Sequence, residues 1–332
     1  EADATWTSIY KDTPAAIHGV AACNGKLYYV GSGLIKSVDE VTGAEVIVAG
    51  GGKTNLVTTT ASVKGTSVAL GPMDGLDCYD GKFLYVAMKS VHSIFELDLS
   101  NNMMRRIAGT GSPGGPSGSS GSTEGTSTKI TYPNGIFRLG DDVFFTELTG
   151  ARIRKVTVTA GTTPKVISVA GTGQTGMTNG AATSSTWTRP AGIIGYQDGA
   201  TINLYVMDAQ QLRLITINGG TSTVATVSGA SGAGYAVGPQ ATAKFGVTAT
   251  MLTMGCNDKF VYINDYTNMV VSRLDIANKI VTRVAGVKSS KGRQAGDGLT
   301  TPLGNAWGIT LSGTDAYISF DGQSWITKIK NL

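Results

Sequence analysis

The sequence predicts an all-β protein, a six-bladed β-propeller of four-stranded antiparallel blades. Three observations carry that reading. One plan of four short strands recurs six times, tight-turn residues separate the strands, and the composition is rich in Gly with only 15% charged residues. Short strands joined by Gly-containing turns suit a β architecture and disfavour a helical bundle.

The clearest copy of the plan runs from Pro190 to Gly232: P-A-G-I-I-G, L-Y-V-M-D, L-R-L-I-T-I and T-V-A-T-V-S-G. Five other copies start at Ile17, Met73, Pro133, Ala249 and Ala306, so successive starts lie 56, 60, 57, 59 and 57 residues apart. A sustained period with four strands per unit is the mark of a propeller. The links within units carry hairpin chemistry, as at Asn24-Gly25, Asp80-Gly81, Gly140-Asp141 and Asp198-Gly199. Length varies mainly in the fourth-to-first connections, which must then emerge together on one face.

The sixth unit stops after A-W-G-I-T-L, A-Y-I-S-F-D and I-T-K-I, one strand short. An open ring would leave unpaired edges, a liability for any sheet protein. The spare N-terminal stretch, residues 4–10, is expected to pair beside Ile326–Ile329 and complete blade six, which makes 1–332 a single propeller domain.

Composition bounds the partners. The net charge is +4 over 332 residues and the Lys and Arg residues form no run, so a nucleic-acid footprint is not expected. No apolar run reaches the ~18 residues of a membrane span. The chain opens on Glu1 without Met, which fits a removed leader or a trimmed start. Cys23, Cys78 and Cys256 are too few for a disulfide framework. Cys23 and Cys78 hold like positions in adjacent units and can pair, although small buried thiols are the favoured reading. No N-x-Ser/Thr acceptor occurs.

The long connections carry a further pattern: V-A-G-T-G-Q-T-G-M-T-N-G-A-A before W-T-R-P-A-G, and later V-A-G-V-K before G-D-G-L-T-T-P-L-G-N-A-W-G. This resembles the NHL-repeat family, and the likeness covers nearly the whole chain. Where that family has Asn-His, this chain has Gly150-Ala151, Gln211-Leu212, Asn268-Met269 and Ser324-Trp325. The resemblance implies a binding scaffold. The family also has RNA-binding members and a zinc-dependent amidating lyase.

Each repeated element has a physical role. Gly19, Gly75, Gly135, Gly192 and Gly308 fall where inner strands crowd the axis and a Cβ would not fit. Met251 breaks that rule. The apolar residues ahead of them, Leu70, Ile130, Trp187, Phe245 and Leu303, are expected to plug the gaps between blades. Glu147 with Arg152, and Asp208 with Arg213, flank hairpins and are read as exposed pairs contributing at most ~1 kcal/mol.

The residue before each inner Gly forms a ring at the channel mouth: His18, Asp74, Asn134, Ala191, Thr250 and Trp307. Imidazole, carboxylate and amide thus stand on three consecutive blades, and a catalytic Ca or Zn site would draw on His18, Asp74 and Asn134. The chain has only two histidines, and His92 lies in another loop, so a histidine-built zinc site is disfavoured. Asp74 is read as a wet-mouth carboxylate without a buried partner, so Asp74→Ala should leave stability near wild type. No Ser-His-Asp set emerges, and Gly109-Thr110-Gly111 and Gly171-Thr172-Gly173 precede no helix that could hold a phosphate. The Gly/Ser-rich run 111–125 reads as a solvated spacer or an O-glycan carrier.

The expected function is therefore a non-enzymatic binding or structural scaffold, secreted or on a cell surface, that takes a protein or glycan partner or packs into an assembly. No cofactor is expected. The alternative is a metal-dependent hydrolase or lyase at the mouth. Recognition is assigned to the long-connection face, with Tyr132, Arg189 and Tyr235 as contacts and Trp187 and Trp307 as further candidates.

Overall fold

The computed structural model describes residues 6–11, 17–54, 61–114, 128–159, 163–229, 232–254, 259–292, 298–320 and 325–330. Six antiparallel sheets stand around a central channel. Blade one is built from Ile17–Cys23, Lys26–Gly31, Leu34–Asp39 and Glu45–Gly50. Blades two to five repeat it from inner strands Gly75–Tyr79, Pro133–Leu139, Pro190–Asp198 and Ala249–Met254. Each inner strand packs on the inner strands of the blades before and after it, and the ring closes from blade six back to blade one.

Blade six has Ala306–Ser312, Asp315–Phe320 and Trp325–Ile329 from the C-terminal end, and its outer strand is Trp6–Lys11. That strand pairs antiparallel from Trp6 opposite Ile329 to Lys11 opposite Trp325. The closure read from the sequence is therefore the one observed. Blades two, four and five gain a fifth, two-residue strand from the connection that enters them: Val63–Lys64, Gly180–Ala181 and Gly238–Pro239.

Apolar burial is organised by junction. Among the described residues, six hydrophobic clusters lie one between each pair of consecutive blades. Ile130, Trp187, Phe245 and Leu303 are each at most 2% exposed and sit in four of these junctions, so four of the five plugs behave as expected, whereas Leu70, between blades one and two, is only partly buried. Each fills a wedge-shaped gap that two twisted sheets cannot close by themselves.

The inner glycines are explained by the same crowding. A Cβ on Gly19 would collide with the carbonyl of Asp74, and one on Gly75 with that of Asn134. Gly135 meets Ala191 and Gly308 meets His18 in the same way. The turns at Asn24-Gly25 and Asp80-Gly81 take left-handed conformations at both residues; the first closes a two-residue hairpin and the second lies in a three-residue link. Between them Cys23 and Cys78 form a disulfide, with Cα atoms 5.9 Å apart. This corrects the free-thiol reading: the ring brings like positions of adjacent blades within bonding distance. The amide of Asn24 donates to the carbonyl of Gly81 at 2.8 Å beside it.

Candidate functional site

The long connections enter the ring at the end where each inner strand begins, so His18, Asp74 and Asn134 meet at the channel mouth. Asp74 is their hub. Its Oδ1 accepts from His18 Nδ1 at 2.8 Å and its Oδ2 from Asn134 Nδ2 at 2.9 Å. Lys89 Nζ reaches both oxygens, at 2.9 and 2.8 Å. Asp74 is 1% exposed and Asn134 is 5% exposed. Burial opposes the charge of Asp74, but the hydrogen bonds from His18 and Lys89 and the Lys89 charge outweigh it. The carboxyl is held below its usual range. The expectation of a wet, unpartnered carboxylate is thereby overturned, because three donors from three chain segments converge on it.

The arc continues through aromatic contacts. His18 stacks on Trp307, with centroids 5.0 Å apart and planes at 28°, and Tyr266 meets Trp307 edge-on at 5.8 Å. Lys89 and Tyr266 were missed at the sequence level. Both directly follow the last residue of a blade's second strand, Met88 in blade two and Asp265 in blade five. Aligning the repeats at that position would have placed them at the mouth.

The donor set suits a metal poorly. A cation at Asp74 would have to displace the Lys89 ammonium, which already spans both carboxylate oxygens. Among the described residues, no group of three or more His, Cys, Asp or Glu side chains converges.

The acids at the ends of second strands do a different job. Glu147 accepts from the backbone N–H of Thr131 at 2.6 Å. Asp208 accepts from those of Thr188 and Arg189 at 2.9 and 2.7 Å, and Asp265 from that of Gly246 at 3.0 Å. Each acid clamps the connection entering its own blade. Burial pushes the carboxyls of Asp208 and Asp265 up, against those hydrogen bonds, and pushes Glu147 up to about 7.

The surface-pair reading of Asp208 and Arg213 is corrected, since both side chains are fully buried at 2.9 Å. Arg213 also donates to the carbonyls of Thr186 and Thr178 and lies 4.0 Å over the Trp187 ring. Glu147 lies 3.8 Å from Arg154, while Arg152 donates to the carbonyl of Thr172. These contacts turn the hairpin pairs into buried anchors for the loops.

The candidate contacts separate by exposure. Tyr132 is 44% exposed and holds a left-handed conformation with φ of 45°. Its N–H donates to His92 Nδ1 at 3.1 Å, and the two rings meet edge-on at 4.7 Å. A bulky residue held in that strained region is a functional candidate. Arg189 is exposed, with its backbone fixed by Asp208. Tyr235 is half-buried, with the exposed Lys288 ammonium 5.6 Å over its ring. Trp187 is completely buried and is a plug, not a contact; Trp307 is half-buried in the mouth arc. Residues 115–125 of the Gly/Ser-rich run lie outside the described residues.

Deeper in the channel, a cavity of about 200 Å³ holds Asp77 among Val20, Leu76, Ile136, Ile193 and Ile309. Enclosure pushes the Asp77 carboxyl up to about 7, against a hydrogen bond from the Arg138 backbone N–H.

No family model matches the chain, and no curated protein does. Solved structures do resemble it. An auxiliary nutrient binding protein from Bacteroides ovatus superposes with a TM-score of 0.67 at 13% identity, over 99% of this chain and 77% of that one. A gluconolactonase from Xanthomonas campestris gives 0.62 at 10% identity, over 99% and 90%. A streptogramin B lyase gives 0.59 at 14% identity, over 99% and 98%. At such identities the likeness shows the six-bladed propeller and nothing narrower.

Proposed function

We propose that this chain is a non-enzymatic, NHL-like binding propeller of an oxidising, extracellular or cell-surface compartment. It recognises a protein or glycan partner through the face that bears the long connections. One observation carries this reading: the carboxylate at the mouth is saturated. Asp74 is occupied by Lys89, His18 and Asn134, so neither a metal nor a substrate proton finds an idle acceptor there. The same face presents Tyr132, Arg189 and Tyr235 on backbone fixed by hydrogen bonds. Rigidly held loops with aromatic and Arg side chains are where recognition energy concentrates. The Cys23–Cys78 disulfide supports the compartment, since such bonds persist where the medium is oxidising. The likeness to a nutrient binding protein is in keeping with a binding role.

A second reading, a metal-dependent hydrolase or lyase using His18, Asp74 and Asn134 with Ca or Zn, is favoured by the convergence of those side chains. The gluconolactonase and lyase likenesses point the same way. Two measurements separate the readings. Partner capture from the native source should weaken about tenfold for alanine at Tyr132, Arg189 or Tyr235, with melting unchanged, as loss of ~1–2 kcal/mol implies. Stoichiometric Ca or Zn in the purified protein, lost in Asp74→Ala, would instead establish the enzyme reading.

A further inference from the structure

Blade two lacks the device that closes this corner in blades three to five, because Met88 stands where those blades carry an acid. There, Glu147, Asp208 and Asp265 end the second strand and draw the entering connection down by its N–H groups. Gly31 ends the second strand of blade one, and Met88 that of blade two. Gly31 contributes no side chain, and Ser32 and Gly33 turn the chain away in left-handed conformations. A cavity of about 440 Å³ opens here between blades one and two.

Its lining states what it would accept. Val30, Leu70, Pro72 and Met73 supply apolar walls, and Ser32 stands at the rim. The His18 imidazole closes the inner end, held by Asp74 and backed by Trp307. Among the described residues no Lys, Arg, Asp or Glu lines the cavity, so a charged ligand would meet no counter-ion from them. The few polar groups cannot satisfy the many hydroxyls of a saccharide. The Met73 thioether favours contact with an aromatic ring, and Ser32 with the Gly31–Gly33 backbone can hydrogen-bond one hydroxyl. The volume lies toward the small end of ligand pockets.

From this geometry we propose that the cavity between blades one and two is a binding pocket for a small, uncharged aromatic molecule bearing a hydroxyl, of the phenol type. The proposal extends the binding reading to a second site. None of Tyr132, Arg189 or Tyr235 lines it, so phenol binding and partner capture stand or fall separately.

The probe is 4-methylphenol, titrated into the full chain by calorimetry and by ligand-observed NMR. Saturable binding is expected, at least about tenfold tighter than for glucose or benzoate. Leu70→Trp, which fills the wall, should weaken it by about tenfold or more. Pro72→Trp places bulk on the exposed rim, where folding is not at stake, and should do the same with the melting temperature unchanged. The proposal is overturned by any of four results: no saturable binding, binding unaffected by both variants, equal or tighter binding of glucose or benzoate, or capture of a tyrosine-bearing peptide while the free phenol is ignored.

Discussion

Replacing Asp74 by Ala tests the reading of the channel mouth most directly. The carboxylate is 1% exposed and joins His18, Lys89 and Asn134. Its removal strands the buried Asn134 amide and an ammonium. A hydrogen bond to a charged group contributes ~1.5–3 kcal/mol, and an unsatisfied buried donor costs ~1–3 kcal/mol. The Lys89 and His18 side chains are 30% and 22% exposed, so both recover part of their hydration. The balance is a loss of about 3 kcal/mol. Unfolding entropy of roughly 2.1 cal/mol/K per residue gives this chain ~0.7 kcal/mol/K, so melting should fall by about 4 °C near neutral pH. The pH dependence supplies a second readout. Because the folded carboxyl is held below its usual range, its contribution is complete above the unfolded pKa of ~3.9 and disappears as pH falls through the folded value. Calorimetry of both proteins at pH 7 and near pH 3 should show a gap that narrows on acidification. Equal melting at pH 7, with parallel acid limbs, would refute the saturated-carboxylate argument.

Three further outcomes follow from the fold. Asp77→Asn should stabilise the protein above pH ~8. The carboxyl is raised to about 7, so its contribution is complete below ~3.9 and is lost as pH rises through 7. Channel water limits the gain to about 1–2 kcal/mol, and urea midpoints at pH 5 and 8 check it. The Cys23→Ser/Cys78→Ser double variant, which opens a 55-residue loop, should lose up to ~4 kcal/mol and no longer respond to reductant. Deleting residues 1–12 removes the strand paired with Trp325–Ile329 and should cause aggregation or a large drop in melting temperature; full-length behaviour would contradict ring closure.

The architecture was legible because its signals are local and repeat. Asn24-Gly25 and Asp80-Gly81 specify hairpins whatever lies around them, and Gly19, Gly75, Gly135 and Gly308 mark crowding that recurs in each blade. Trp187 and Phe245 are apolar at one fixed place in the period, which identifies them as plugs. The missing sixth-unit strand and the spare N-terminal one implied ring closure through unpaired edges alone. What the residues of different blades do to one another was decided only in three dimensions. Asp74 and Lys89 are 15 residues apart, yet His18 and Asn134, 56 and 60 residues from Asp74, complete its shell. Asp208 and Arg213 form a hairpin pair in sequence, but the folded loop from Thr178 to Trp187 covers them and makes that pair a buried anchor. Cys23 and Cys78 bond because the ring aligns like positions of neighbouring blades. Strand and turn propensities depend on the few residues beside them, whereas burial, and with it the charge state and strength of every ion pair, depends on which distant segment lies on top.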